Sequence, residues 1–350
     1  MQGLLECQKQ AHLRDGPPDL SLRKDRLDRA IGLLVDYRGR IEDALNADFG
    51  SRSREASAFT DIGASIGPLK HARDNLAKWV RPERRQTSPR ILGLFGARAE
   101  VRFQPKGVVG VISPWNFPIN LTFAPLAGIL AAGNRAMIKP SEYTPVTSAL
   151  MAEMFAKAFT EEEIAVVTGG PDIGQAFAGL AFDHLIFTGA TAVARHVMRA
   201  AAENLVPLTL ELGGKSPVIV GRSADMATAT ARIMNGKTLN AGQICLAPDY
   251  VMTPEETIDS FIAGAQGAVR QMFPTMKDNP DYTAIVAQRH FDRITGYVDI
   301  AGGKGSQDFA KAAALEYGAH KVAKVKTHEM SLDHYWSTKL AEPETVMVKA

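Results

Sequence analysis

Gly107-Val108-Val109-Gly110-Val111-Ile112 runs straight into Ser113-Pro114-Trp115-Asn116-Phe117-Pro118-Ile119-Asn120-Leu121. A short apolar run, Val108–Ile112, closes on a turn bracketed by two prolines, the pattern of a buried strand with a stiff exit. From here the chain alternates. Val108–Ile112, Ala136–Ile138, Ile164–Val167, His184–Phe187, Leu208–Leu212 and Pro217–Val220 are strand candidates. Thr122–Ala132, Pro145–Ala158 and Val193–Ala202 are helix candidates. Strands alternating with helices predict an α/β fold with a parallel sheet and crossover connections. Such sheets bind ligands beyond the carboxyl ends of their strands.

Upstream, Leu27, Ile31, Leu34, Ile41 and Leu45 recur at helical spacing, which predicts one helix over residues 20–46 with Ser21 as N-cap. Ile62, Ile66, Leu69, Leu76 and Val80 mark a second amphipathic helix. Arg81–Arg90 is basic and interrupted by Pro82 and Pro89. It reads as a solvated linker, with an anion-binding patch as the alternative. Residues 97–103 alternate apolar and charged, as a half-exposed strand does. Downstream, Met226–Asn235 and Ile258–Met272 look helical. Past Ile300, Gly302, Gly303 and Gly305 cluster and no alternation is readable.

The 350 residues suggest about two domains. Forty Lys+Arg against 38 Asp+Glu leave a net charge of +2, which argues against nucleic acid as a partner. Residues 1–18 contain no apolar stretch of signal-peptide type, and no apolar run approaches the ~20 residues of a membrane span. The expectation is a cytoplasmic protein with no membrane partner. Two cysteines exclude a disulfide scaffold and leave room for a reactive thiol.

Cys245 stands in Asn240-Ala241-Gly242-Gln243-Ile244-Cys245-Leu246-Ala247-Pro248-Asp249. It reads either as an inert buried thiol or as a nucleophile. Cys7 lies in a polar stretch with no chemical company. Glu211 ends an apolar strand before Leu212-Gly213-Gly214-Lys215-Ser216-Pro217, so it either faces a site or forms a strand-end ion pair. Gly214-Lys215-Ser216 is not the end of a phosphate-binding loop, because Thr209 stands where that loop needs glycine. Asn116, between two prolines, either aims an amide at a developing oxyanion or serves the turn. Lys139-Pro140-Ser141-Glu142 follows a strand, and the cation and carboxylate suit a nucleotide's phosphate and ribose. In Phe187-Thr188-Gly189-Ala190-Thr191, Gly189 lets the backbone approach a pyrophosphate or nicotinamide at a helix start, or simply packs. There is no GxGxxG, no GxSxG and no histidine spacing that suits zinc, so no metal is expected.

In order and wording, PWNFP, KPSE, FTGAT, ELGGKSP and GQICLAPDY resemble the aldehyde dehydrogenase superfamily. GVVGVISPWNFPINL and QRHFDRITGYVD resemble its short, class 3-like branch, which includes coniferyl-aldehyde dehydrogenases. The likeness runs from about residue 20 to about residue 299. It implies a Rossmann-type cofactor domain over residues 1–211, an incomplete α/β catalytic domain over 212–299 and a divergent tail over 300–350. It implies oxidation of an aldehyde, coniferaldehyde or another aromatic one among the candidates, to its acid. The cofactor is NAD, with NADP possible.

Under this resemblance Cys245 is the nucleophile, Asn116 an oxyanion donor and Glu211 the general base. Pro114, Trp115, Lys139, Ser141, Glu142, Gly170, Phe187, Thr188, Gly189, Ala190, Leu212 and Gly213 are the cofactor-binding candidates. A homodimer is implied. Ala194 stands where the family usually has a glycine, and its methyl is expected to press on the cofactor. The family's later Glu-x-Phe-Gly-Pro segment is not found, so residues 301–350 read as a truncated or frame-shifted ending. Two alternatives follow: a homologue that only binds nucleotide or is poorly stable, and a hydrolase using the same thiol and base on esters.

Overall fold

The computed structural model describes residues 1–303. They fall into two units. One comprises Met1–Gly213 with Asp278–Asp292; the other comprises Gly214–Lys277 with the described residues from Arg293 to Gly303. Most of the segment read as a divergent tail, from residue 304 on, lies outside the described residues.

In the first unit, α1 (Gln2–Asp15), α2 (Leu20–Asp36), α3 (Arg38–Phe49), α4 (Arg54–Ser57) and α5 (Ala64–Trp79) precede a small hairpin. Its strands are β1 (Glu83–Arg85) and β2 (Ala99–Val101), with α6 (Ile91–Leu94) between them. Then β3 (Val108–Ile112), α7 (Asn120–Ala131), β4 (Arg135–Lys139), α8 (Pro145–Ala158), β5 (Ile164–Val166), α9 (Pro171–Ala178), β6 (His184–Gly189), α10 (Thr191–Ala202) and β7 (Leu208–Leu212) alternate. The sheet has the order β5-β4-β3-β6-β7, and every pairing in it is parallel. The chain steps outward from β3 to β5, then returns to the other side of β3. This reversal opens a crevice at the strands' carboxyl ends.

Both faces of the sheet are buried. Val109, Val111, Ala136, Ile138 and Ile164 join Leu34, Leu69, Phe123 and Phe155 on one side. Val108, Met137, Ala165, Leu185 and Phe187 join Leu5, Phe177 and Val197 on the other. Successive strand residues point to opposite faces, so a strand covered on both sides reads as a continuous apolar run. Gly110 has no room for a side chain: a Cβ there would stand 2.7 Å from the Phe182 ring.

Several expectations are corrected. The helix predicted over 20–46 is two, α2 and α3, parted at Tyr37. Its N-cap is Asp19, whose carboxylate accepts from the Leu22 N–H at 2.8 Å, and not Ser21. The strand predicted over 97–103 shrinks to β2 and pairs antiparallel with β1, inside the segment read as a linker. Almost every residue of this hairpin is exposed, so its alternation marks no buried face. Helix α1 was not expected because its buried stripe includes Gln8, whose amide donates to the carbonyls of Ala136 (3.0 Å) and Glu161 (2.7 Å).

In the second unit, β8 (Ser216–Ile219), α11 (Met226–Thr238), β9 (Pro248–Met252) and α12 (Ile258–Met272) are followed by α13 (Gln288–Gly303), which starts in the first unit. The Pro217–Val220 candidate is therefore not part of the five-stranded sheet; it is β8, parallel to the unexpected β9. Among the described residues, no helix is long and apolar enough to cross a membrane.

Ahead of β5, Glu163 is gripped by Arg26 (2.9 Å) and Arg29 (2.9 and 3.0 Å), both from α2. Burial alone raises the Glu163 carboxyl, but the two guanidinium groups outweigh it and hold it at about 2. A carboxyl lowered on folding adds stability that is complete above its ordinary value of 4.5 and is lost as pH falls through about 2. Glu163→Gln is expected to lower stability at pH 7 by about 2 kcal/mol, between the exposed and buried limits for ion pairs. Urea unfolding at pH 7 and pH 3 should show the gap from the parent narrowing at the lower pH.

Candidate active site

Strand β3 ends in Ser113 to Pro118, and the half-buried Asn116 sits at the middle of that turn. The turn is braced from behind. Arg52 and Asp61 are 1% and 0% exposed and pair at 2.5 Å. The Arg52 Nη1 donates to the Asn116 carbonyl at 2.9 Å, and its Nη2 to Thr60 Oγ1 at 3.2 Å. Asp61 Oδ1 accepts from the N–H groups of Ile119 (3.1 Å) and Asn120 (3.2 Å), where α7 begins. The guanidinium also lies over Phe49 at 4.7 Å and Phe117 at 5.2 Å. Complete burial pushes the Asp61 carboxyl up from its usual range, against the pull of Arg52 and the two backbone N–H groups. Asp61 sits in a π-helical turn, Ala58–Gly63. Trp115, next to Asn116, packs on His290 at 5.0 Å between ring centroids, and Tyr143 packs on the same ring at 5.3 Å.

At the end of β4, Lys139 is 2% exposed and its ammonium reaches Glu142 at 3.0 Å. Ser141 is buried, and its hydroxyl accepts from the Tyr143 N–H at 3.2 Å. Beyond β5, Gly170 is the N-cap of α9, with Pro171 opening the helix. Lys139 extends toward this helix: a Cβ on Gly174 would meet its Cε at 3.8 Å.

Phe187, Thr188 and Gly189 close β6, and Ala190 is the N-cap of α10. A Cβ on Gly189 would stand 2.7 Å from the Phe187 ring, so this glycine is already required by a protein neighbour. Ala194, where the family usually has a glycine, is 2% exposed and packs in the core beneath α10. Glu211 lies exposed on edge strand β7, followed by Leu212 and the exposed Gly213. Among the described residues it has no ion pair.

Asn116, Lys139, Ser141, Glu142, Gly170, Gly189 and Glu211 thus share the carboxyl edge of one sheet in the first unit. Cys245 belongs to the second unit. It is exposed, so it is not the inert buried thiol of the alternative reading. Ahead of it, Asn240, Ala241 and Gly242 have φ of 51°, 52° and 74°, three successive left-handed residues. Gln243 Nε2 donates to the Asn240 carbonyl at 2.9 Å and Asn240 Nδ2 to the Gln243 carbonyl at 3.3 Å, closing the turn. Cys7 is exposed on α1.

Arg52, Asp61, Tyr143 and His290 were not expected at the site. Arg52, Asp61 and His290 reach the turn from elements distant in sequence, and Tyr143 packs on His290, so no local pattern singles them out.

A doubly wound parallel sheet with polar groups gathered at its carboxyl edge defines an α/β protein of the Rossmann-type class. The chain belongs to the aldehyde dehydrogenase family, which it matches over residues 16–321. That match continues past residue 299, where the legible motifs end. The chain is 69% identical over 307 residues to the "Probable coniferyl aldehyde dehydrogenase" of Caulobacter vibrioides, covering 88% of this chain and 63% of that protein. It is 56% identical over 323 residues to the coniferyl aldehyde dehydrogenase of a Pseudomonas species, covering 92% and 66%. The solved Mycobacterium tuberculosis aldehyde dehydrogenase, complexed with NAD+, superposes with a TM-score of 0.75 at 28% identity, over 85% of this chain and 62% of that one. The chain spans under two thirds of the length of each.

Left-handed backbone costs an L-residue with a Cβ about 1–2 kcal/mol. Ala241→Gly is therefore expected to leave stability unchanged or raise it by up to ~1 kcal/mol. Ala241→Val should lower it by ~2 kcal/mol, since a β-branched residue fits that region worst. Urea unfolding of the two variants beside the parent checks both signs.

Proposed function

We propose that this chain carries an NAD(P)-dependent aldehyde dehydrogenase activity that oxidises an aldehyde to its carboxylic acid. Coniferaldehyde or another aromatic aldehyde is the substrate class, in keeping with the names of its relatives. The observation that carries the proposal is the exposure of Cys245 within the family match, since a nucleophile has to be reachable. On this proposal residues 1–211 form the cofactor domain and 212–299 part of the catalytic one.

The donor set suits a dinucleotide. The Glu142 carboxylate can accept from a ribose hydroxyl, and the Lys139 ammonium, 3.0 Å away, can answer a phosphate. A carboxylate disfavours a 2′-phosphate, which makes NAD the first choice, with NADP admitted through Lys139. Helices α9 and α10 start at Gly170 and Ala190 without a side-chain cap, so their first N–H groups suit a pyrophosphate. Pro114, Trp115, Ser141, Phe187, Thr188, Gly189, Leu212 and Gly213 border the same edge. When bound, the dinucleotide supplies the hydride acceptor.

The protein's own groups do the rest. The Cys245 thiolate attacks the aldehyde carbon and forms a thiohemiacetal. The Asn116 amide and the Cys245 N–H stabilise its oxyanion. After oxidation to the thioester, Glu211 takes a proton from water, and the hydroxide so formed releases the acid and restores the thiol.

Purified protein with coniferaldehyde or benzaldehyde and NAD is expected to form NADH, followed at 340 nm. Cys245→Ala should abolish it, with a loss of about 1,000-fold or more. Glu211→Gln should keep a burst of one NADH per site and then turn over about 100-fold more slowly, because only release of the acid is impaired. A thermal shift with NAD and no NADH would instead describe a nucleotide-binding protein. Ester cleavage without cofactor would describe a hydrolase.

A homodimer suits the hairpin of β1 and β2, where Leu94 and Phe95 are 85% and 82% exposed, an apolar patch that association can cover. Size-exclusion chromatography with light scattering should give twice the chain mass. A clean monomer would refute the dimer.

A further inference from the structure

We propose that Arg52 and Asp61 are positioning residues that aim Asn116. The proposal rests on the role given above to the Asn116 amide.

A fully buried ion pair is a poor source of stability, because the desolvation of both charges consumes most of its attraction. What this pair holds explains it better. Arg52 Nη1 binds the carbonyl of Asn116 itself. Asp61 Oδ1 binds the N–H groups of Ile119 and Asn120. The backbone is thus tied on both sides of Phe117-Pro118, and the Phe117 ring rests on the same guanidinium. A planar fork can hold the Asp61 carboxylate, Thr60 Oγ1 and the Asn116 carbonyl together. A lysine ammonium, a point charge on a flexible stem, cannot reproduce that fork.

The π-helical turn Ala58–Gly63 serves the same end. It carries both Thr60 and Asp61, and Thr60 Oγ1 donates back to the Ala56 carbonyl at 2.7 Å. The inserted residue of such a turn redirects side chains relative to a regular helix. Asp61 is thereby turned inward onto Arg52 and the start of α7. An oxyanion donor works only if its direction is set before the charge develops. Here the main chain of the donor is held from behind by groups that never meet substrate.

The test compares the parent full-length chain with Arg52→Lys, Asn116→Ala and the double variant. Arg52→Lys is expected to lower kcat by about 10- to 100-fold, the cost of a misplaced catalytic group. KM for NAD should stay within about twofold. In the Asn116→Ala background the same change should cost nothing more, because it acts through that amide. Backbone hydrogen exchange of residues 115–121 should quicken in Arg52→Lys while the melting temperature holds within a few degrees.

Losses that multiply in the double variant, or an unchanged kcat, overturn the proposal, as does unchanged exchange in residues 115–121. Should Arg52→Lys not melt cooperatively, Asp61→Asn takes its place in the same cycle. It keeps an acceptor for Ile119 and Asn120 but removes the charge that orients Arg52, and the same outcomes decide. An active parent in which Asn116→Ala loses nothing removes the role of the amide and the proposal with it. A parent with no turnover defeats the reading of function first, and is told apart by the parent assay alone.

Discussion

Val108 and Val109 are neighbours in the chain and lie in opposite hydrophobic cores. That two-sided burial of the central strand is the constraint on which the first unit depends. A parallel sheet cannot leave a face to water when every crossover has to pack on one side or the other. Helices α2, α5, α7 and α8 cover one face and α1, α9 and α10 the other. Little room remains for polar chemistry in the strands themselves, and it collects where they end. Lys139 shows the transition: as the last residue of β4 it is nearly enclosed, while its ammonium meets Glu142 beyond the strand.

The turn after β3 is exposed to competing demands. It must leave the sheet, start α7 and present Asn116. Two prolines stiffen it locally, but the anchoring comes from behind, through Arg52 and Asp61. The carboxylate also serves the orphan N–H groups that open α7, a task that usually falls to an N-cap side chain. One buried pair therefore joins the π-helical turn, the exit of the central strand and the start of the next helix.

The inner strands β3 and β4 are legible because they are buried on both faces, while the edge strand β7 is only half-buried. Val108–Ile112 and Leu208–Leu212 carry the bounds expected of them. The exposed hairpin is not legible, since alternation in β2 looks the same whether or not a core lies beneath it. Helix α1 escaped notice because Gln8 fills a core position by hydrogen bonding rather than by apolar contact. At the site, the order PWNFP, KPSE, FTGAT, ELGGKSP and GQICLAPDY points to the family without any knowledge of the fold. Gly189 is demanded by the Phe187 ring, and the Ala194 methyl sits in the core.

The sequence by itself determined the alternation of buried strands and helices, the family, and the kinds of side chain that end each strand. These are encoded locally, in runs of a few residues whose polarity repeats with the period of the backbone. Only the tertiary structure decided which face Ala194 takes, that Cys245 is exposed, and that Arg52 and Asp61 stand behind Asn116. Those facts depend on contacts between segments about 60 residues apart or on the packing of whole layers, and no local pattern carries the distance between them.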